Sequence, residues 1–304
     1  MTAAPAIQHR RSPPTPRDPA GIMSSQDSPV FSLPADDPEM QLAAAKARET
    51  FRYFWRELAW EGRRIVPGLE LAAVKATFTD PPEVRARNPD GLSAEHMWLL
   101  DVRFDGRTLQ GTLINSPQSL TSVSEGDRVT IAGRQICDWM YVASGSVYGG
   151  FTVDLMRSRM DSGERKQHDR AWGFDFGDPG VVLLVPPEYI AQAPAKAKGF
   201  LSRFGPSKQA PQDYAAVAAA EHPMSVNMRE SLDQALGESP EMLGEPDDEG
   251  FPLLHQLALA GSWDGVDVCL KHGADHNAQA ANGLTPLQLA KSLGWKRVAE
   301  RLAQ

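Results

Sequence analysis

Four side chains in two stretches have the types that acid–base chemistry needs. Asp138 lies in "RQICDWMYVASGSVYGGF" (134–151), and Glu95, His96 and Asp101 lie in "EHMWLLDVRF" (95–104). Carboxylates and an imidazole can pass a proton only if they converge on one pocket. Strand residues an odd number apart point to opposite faces, so His96 and Asp101 diverge unless a bulge intervenes. Asp138 shares a predicted strand face with Ile136, Met140 and Val142. A carboxylate taken from water must be hydrogen-bonded, ion-paired or at a pocket mouth. The candidate partners are backbone N–H groups at Gly149-Gly150, Arg103, Arg134 and the Trp98 indole, each of which would lower the carboxyl pKa. This makes Asp138 an internal staple, with acid–base chemistry as the alternative. Trp98 and Trp139 are core aromatics first and ligand platforms second. The candidate pocket or structural cluster is therefore Asp138, Trp139, Trp98, Asp101 and His96, and no residue is assigned a catalytic role.

Other chemistry-bearing patterns are missing. No P-loop, serine nucleophile elbow or paired zinc ligands appear, and "GFDFGDPG" (173–180) lacks the regular oxygen spacing of a calcium loop. Neither a cofactor nor a metal is expected. Cys137 and Cys269, the two cysteines, have no metal or redox spacing and read as small buried hydrophobes in a reducing compartment. The net charge of -8 and pI near 5.4 argue against nucleic acid as the main partner. No apolar run reaches the ~18 residues of a membrane span, so no membrane association and a cytoplasmic location are expected.

A chain of 304 residues allows about two domains. Residues 1–35 are proline-rich and read as a disordered leader, with Met1 or Met23 as the start. Helical spacing of Ala47, Phe51, Phe54, Trp55 and Leu58 follows a start signal at Asp36, Asp37, Pro38 and Glu39. Strand-like runs follow: "LAAVKATF", "EHMWLLDVRF", "RTLQGTLIN", "GDRVTIAG", "QICDWMYV", "VYGGFTV" and a last "VVLLV" at 181–185. The fold class is α+β, with an N-terminal helix on a curved, mostly antiparallel sheet over 36–186. An Ala/Pro/Lys-rich linker at 187–223, with Lys196, Lys198, Arg203 and Lys208, leads to an all-α segment at 224–304.

In that segment "GFPLLHQLALAG" (250–261) and "GLTPLQLAKSLG" (283–294) align at an offset of 33 residues. With "LKHGADHNAQAANG" between them, they resemble the ankyrin repeat family, although "FPLLHQL" lacks the Thr-Pro pair. Residues 227–243 read as a degenerate first unit, with Leu232 and Leu236 covering the exposed end. The resemblance implies protein binding, and the partner-binding candidates are His255, Trp263, His276, Asn277 and Trp295. His255 is also expected to bond the turn backbone of its own stack.

Residues 36–185 resemble domain of unknown function 2314, the YegJ-like family. "EHMWLLDV", "GTLINSP", "EGDRVTI" and "DWMYVASGSVYGGF" carry the likeness, which implies a shared fold and no established reaction. The expected function is non-enzymatic protein binding, for instance an immunity-type inhibitor that neutralises a bacterial toxin. A small-molecule-binding or hydrolytic α+β domain with the repeats as a docking arm is the alternative.

Overall fold

The computed structural model describes residues 37–86, 94–191 and 211–304. The leader and the linker lysines 196, 198 and 208, with Arg203, lie outside the described residues. These residues group into two units, one built from 37–54 and 68–220, the other from 55–67 and 221–304.

Asp37 opens the first unit by accepting the amides of Glu39 and Met40, which starts α1 (Pro38–Glu61). β1 (Leu69–Phe78), a short α2 (Pro82–Arg85), β2 (Glu95–Phe104), β3 (Thr108–Leu113), β4 (Arg128–Ala132), β5 (Ile136–Ala143) and β6 (Ser146–Gly149) follow. The strands form one six-stranded sheet, β4-β3-β2-β1-β5-β6. All of its neighbours are antiparallel.

Cross-strand partners share a face. Leu113, Leu99, Val74 and Trp139 form one such row through β3, β2, β1 and β5. This face packs on α1, where the Trp139 ring lies 6.0 Å from Phe54 and its Nε1–H donates to the Ala47 carbonyl at 2.9 Å. The opposite face gathers Leu71, Ala73, Trp98, Leu100, Met140 and Val142 beneath Val153 and Phe176.

That second face is covered by α3 (Phe151–Arg159) and α4 (Ser162–Trp172), a helical layer that corrects the reading of 147–153 as one strand. β6 ends at Gly149, and α3 begins two residues later. "VVLLV" is likewise no strand. Its backbone is held by Gly149 N–H on Leu183 O at 2.8 Å and by the Gln212 side chain, which bonds both Leu184 N and Val185 O. Helices α5 (Pro187–Ala191) and α6 (Tyr214–Ala219) occupy the described parts of the expected linker.

Two of the sheet's register shifts change the strand phase near the site, a third lying between Leu69 and Leu71. Asp101 has φ 50, and the β2–β3 register slips between Leu100 and Arg103, so Phe104 joins the face of Leu99 and meets Phe51 edge-on at 5.6 Å. A second slip, between Lys75 and Ala76, sets Ile136 opposite Ala76 while Asp138 faces Lys75. Ile136 therefore leaves the face of Asp138, contrary to strict alternation.

In the second unit, α7 (Pro223–Glu238) is followed by α8 (Leu253–Leu259), α9 (Trp263–Lys271), α10 (Pro286–Ser292) and α11 (Lys296–Leu302). Helices α8 and α10 start 33 residues apart, at 253 and 286, as do α9 and α11, at 263 and 296. α8 packs on α10, α9 on α11, and α7 on α9. Leu236 of α7 is fully buried and Leu232 half-buried. Thr285 caps α10 by accepting the Gln288 amide, the local reason for "TPLQ". Gly261, at φ 70, is required because a Cβ there would stand 2.4 Å from the Trp295 ring.

Candidate functional site

Asp138 is wholly buried, and each of its oxygens accepts two hydrogen bonds. Oδ1 accepts from the amides of Trp139 and Phe151, both at 2.9 Å. Oδ2 accepts the Thr152 amide at 2.7 Å and its hydroxyl at 2.5 Å. Two consecutive left-handed glycines make this possible. Gly149 (φ 77) and Gly150 (φ 73) turn the chain from β6 into α3, and Gly150 N–H donates to Trp139 O at 2.7 Å. A Cβ on Gly149 would sit 2.3 Å from that same carbonyl oxygen. The turn thus brings the first two amides of α3, which have no intrahelical acceptor, onto the carboxylate.

The Gly149 and Gly150 amides, expected as donors, go instead to Leu183 O and Trp139 O; the donors come from Trp139 and from Phe151 and Thr152 just beyond the turn. Arg103, Arg134 and the Trp98 indole do not bond Asp138. The expected lowering of its pKa is also reversed, because complete burial holds the carboxyl above the usual aspartate range against the pull of Thr152, Lys75 and the backbone donors. Lys75 pairs with Asp138 on one side and Trp98 on the other, its ammonium 5.6 Å from the Trp98 ring centroid.

The remaining acid–base candidates do not gather around Asp138. His96 is exposed, with Nδ1 3.0 Å from Thr77 Oγ1 and 3.5 Å from Cys137 Sγ. Desolvation, helped by Lys75, holds its pKa below the usual value. Asp101 occupies the β2 bulge, exposed, and its carbonyl accepts from Arg128 Nη1 at 2.8 Å. Glu95 accepts the amides of Gln118, Ser119 and Leu120 and so pins the loop before β4. Trp139 is a core residue with no exposure. Cys137, beside His96, has its thiol pushed up to about 11 by burial, which keeps it un-ionised and inert.

A second polar cluster lies under α3 and was missed. Arg157, 2% exposed, grips Asp169 through Nε and Nη2, both at 2.8 Å, and also donates to Gly177 O at 3.0 Å. Asp169 is bonded by His168 Nδ1 at 2.9 Å as well. Asp154 accepts Gly180 N–H, and burial holds its carboxyl above the ordinary range. Only the capping box Asp161–Glu164 in "DSGE" hinted at this helical layer.

In the helical unit His255 is buried and its Nε2 lies 3.0 Å from Ala278 O, as the turn-bonding reading required. Trp295 is buried too and donates Nε1–H to Leu259 O at 3.1 Å. Burial removes both from any partner-facing surface. Trp263 is half-buried, and His276 and Asn277 are exposed. Arg229 and Arg297 stand 5.8 and 5.7 Å from the Trp263 ring centroid. No group of histidines, cysteines and acids among the described residues is arranged to hold a metal ion.

The sheet, its two helical layers and the buried acid at the start of α3 define an α+β domain of a recurring bacterial type. The model of the family described as "Uncharacterized protein conserved in bacteria (DUF2314)" matches residues 37–176. A protein of Neisseria meningitidis serogroup B, named "Putative ankyrin repeat protein", is 38% identical over 276 residues, which cover 91% of this chain and 97% of that one. The uncharacterised protein YegJ of Escherichia coli K12 is 37% identical over 82 residues, 27% of this chain and 47% of that one. Residues 37–176 form a DUF2314 domain, and the chain belongs to one family with the meningococcal protein.

Proposed function

We propose that this protein acts without catalysis, by binding another protein through its helix pairs. The observation that carries this reading is the fate of Asp138: four donors occupy a carboxylate with no exposure, while His96 and Asp101 sit elsewhere. A staple so placed touches no substrate.

The 33-residue spacing of α8–α9 and α10–α11 supports an ankyrin-type stack, and the name of the similar meningococcal protein agrees. On this reading α7 is the divergent first layer. Trp263, His276 and Asn277 remain as surface candidates, and a tryptophan flanked by two guanidiniums has the composition of an interface hot spot. A concrete form is an immunity-type inhibitor in the bacterial cytoplasm. No helix among the described residues is long and apolar enough to cross a membrane.

The test is co-expression of the full chain with the product of the adjacent gene. Stoichiometric co-elution, protection of cells from that product, and loss of both in Trp263→Ala with an unchanged melting temperature are expected. Turnover of a substrate by the chain alone, or co-elution indifferent to substitution of Trp263, His276 and Asn277, would overturn the reading.

A further inference from the structure

A cavity of about 180 Å³ opens beside β6 and α3, between Val147, Phe176 and Leu183 and the charged residues Asp154, Arg157 and Asp175. By the same measure a single water needs only ~10–15 Å³, so the space admits a small organic group.

Asp175 is exposed, with Oδ1 accepting the Gly177 amide, and the other two are unevenly committed. Nε and Nη2 of Arg157 are fixed by Asp169 and Gly177. Its Nη1 has only a long 3.4 Å contact to Phe176 O and stands 3.7 Å from Asp154 Oδ1, beyond hydrogen-bond distance. Both oxygens of Asp154 share one donor, the Gly180 amide, each at 3.1 Å. A carboxylate offers about four lone-pair sites, so acceptor capacity remains beside donor capacity. Arg157 is 2% exposed, and its position is set by Asp169, so the site is built before any ligand arrives.

Charge selects the ligand. An anion would meet Asp154 and Asp175 as soon as it reached Arg157, and a cation reaching Asp154 would stand beside Arg157 Nη1, 3.7 Å from that carboxylate. A neutral group with an acceptor and a donor on neighbouring atoms satisfies both. We propose that this cavity binds a primary carboxamide, its carbonyl oxygen accepting from Arg157 Nη1 and its NH₂ donating to Asp154, with the alkyl stem against Val147 and Leu183. The amide belongs either to a free small molecule or to a glutamine or asparagine side chain. This goes beyond the proposed protein binding and stands without it.

The test uses ¹⁵N-labelled full chain and follows the amide resonances of Gly150, Gly177 and Gly180. Propionamide should shift them with a dissociation constant on the order of 1–10 mM. Propionate and propylammonium, the charged isosteres, should bind about tenfold or more weaker. Val182→Phe, which fills the space and leaves the charged residues in place, and Asp154→Ala should each abolish the shifts while the chain stays folded by its melting temperature. The tripeptides Ala-Gln-Ala and Ala-Glu-Ala separate the sources: preference for the glutamine peptide over propionamide assigns a side chain, and the reverse a free amide. Equal response to propionate, no shift with any amide, or shifts that survive Val182→Phe would overturn the proposal.

Discussion

Asp138 and Thr152 meet twice, the amide and the hydroxyl of Thr152 both donating to Oδ2 across 14 residues of chain. Through this contact a strand residue receives the opening turn of α3, and the helical layer over the second sheet face hangs from it. Replacing Asp138 by Asn puts an NH₂ against donors already aimed at oxygen. The expected cost is ~1–3 kcal/mol, read as a lower denaturant midpoint. The carboxyl is held above its ordinary 3.8, so its own contribution is full below that pH and is lost as pH rises toward the folded value. Asp138→Asn should remove this component and leave the steeper acid sensitivity of the other carboxylates.

Gly149→Ala should be worse than most glycine substitutions. It combines φ 77 with a Cβ 2.3 Å from Trp139 O and 2.4 Å from the indole ring. A loss of about 2–4 kcal/mol is expected in urea unfolding. The φ of Gly145 is 75, but it has no atom within 4 Å of its Cβ position, so Gly145→Ala should cost only the backbone share, about 1 kcal/mol.

In the helical unit His222 caps α7, with Nδ1 accepting Met224 N–H at 3.2 Å and Nε2 facing Glu57 at 3.2 Å. Burial holds this imidazole below 6.5, and His222, Arg64 and Arg56 hold the Glu57 carboxyl below 4.5 despite burial. For both groups the unfolded chain binds the proton more readily, so stability falls as pH drops, first below 6.5 and again below 4.5. His222→Asn keeps a capping acceptor and removes the titration. Melting temperatures taken from about pH 8 to about pH 5 should fall less steeply in that variant.

Cys137 and Cys269 are buried, with thiols pushed up to about 11 and about 12. A chromogenic disulfide reagent should label neither in the native protein and both in denaturant, at a rate tracking unfolding. Rapid native labelling of Cys137 would show that the His96 contact activates it.

Much of this molecule was legible from neighbours in sequence. Asp37 and Pro38 announce α1, Thr285 and Pro286 announce α10, and alternation in "LAAVKATF" marks β1, because caps and periodicity act over a few residues. The same local rules failed at Asp101 and at Lys75/Ala76, where one extra residue reversed the facing of Phe104 and Ile136. Neither bulge carries a glycine or other marker in the string. At "VYGGFTV" the strand-like Phe151, Thr152 and Val153 begin a helix, since the Asp138 acceptor outweighs their β preference.

The string of residues alone established that an acid occupies an apolar strand, that two segments align at an offset of 33 residues, and that the cysteines lie too far apart in sequence for a metal motif. Only the assembled fold settled which groups answer that acid and in which direction its titration moves. Hydrogen-bond partners and desolvation depend on segments brought together across the sheet, such as Thr152 beneath Asp138 and Asp169 against Arg157, and no local pattern carries that information.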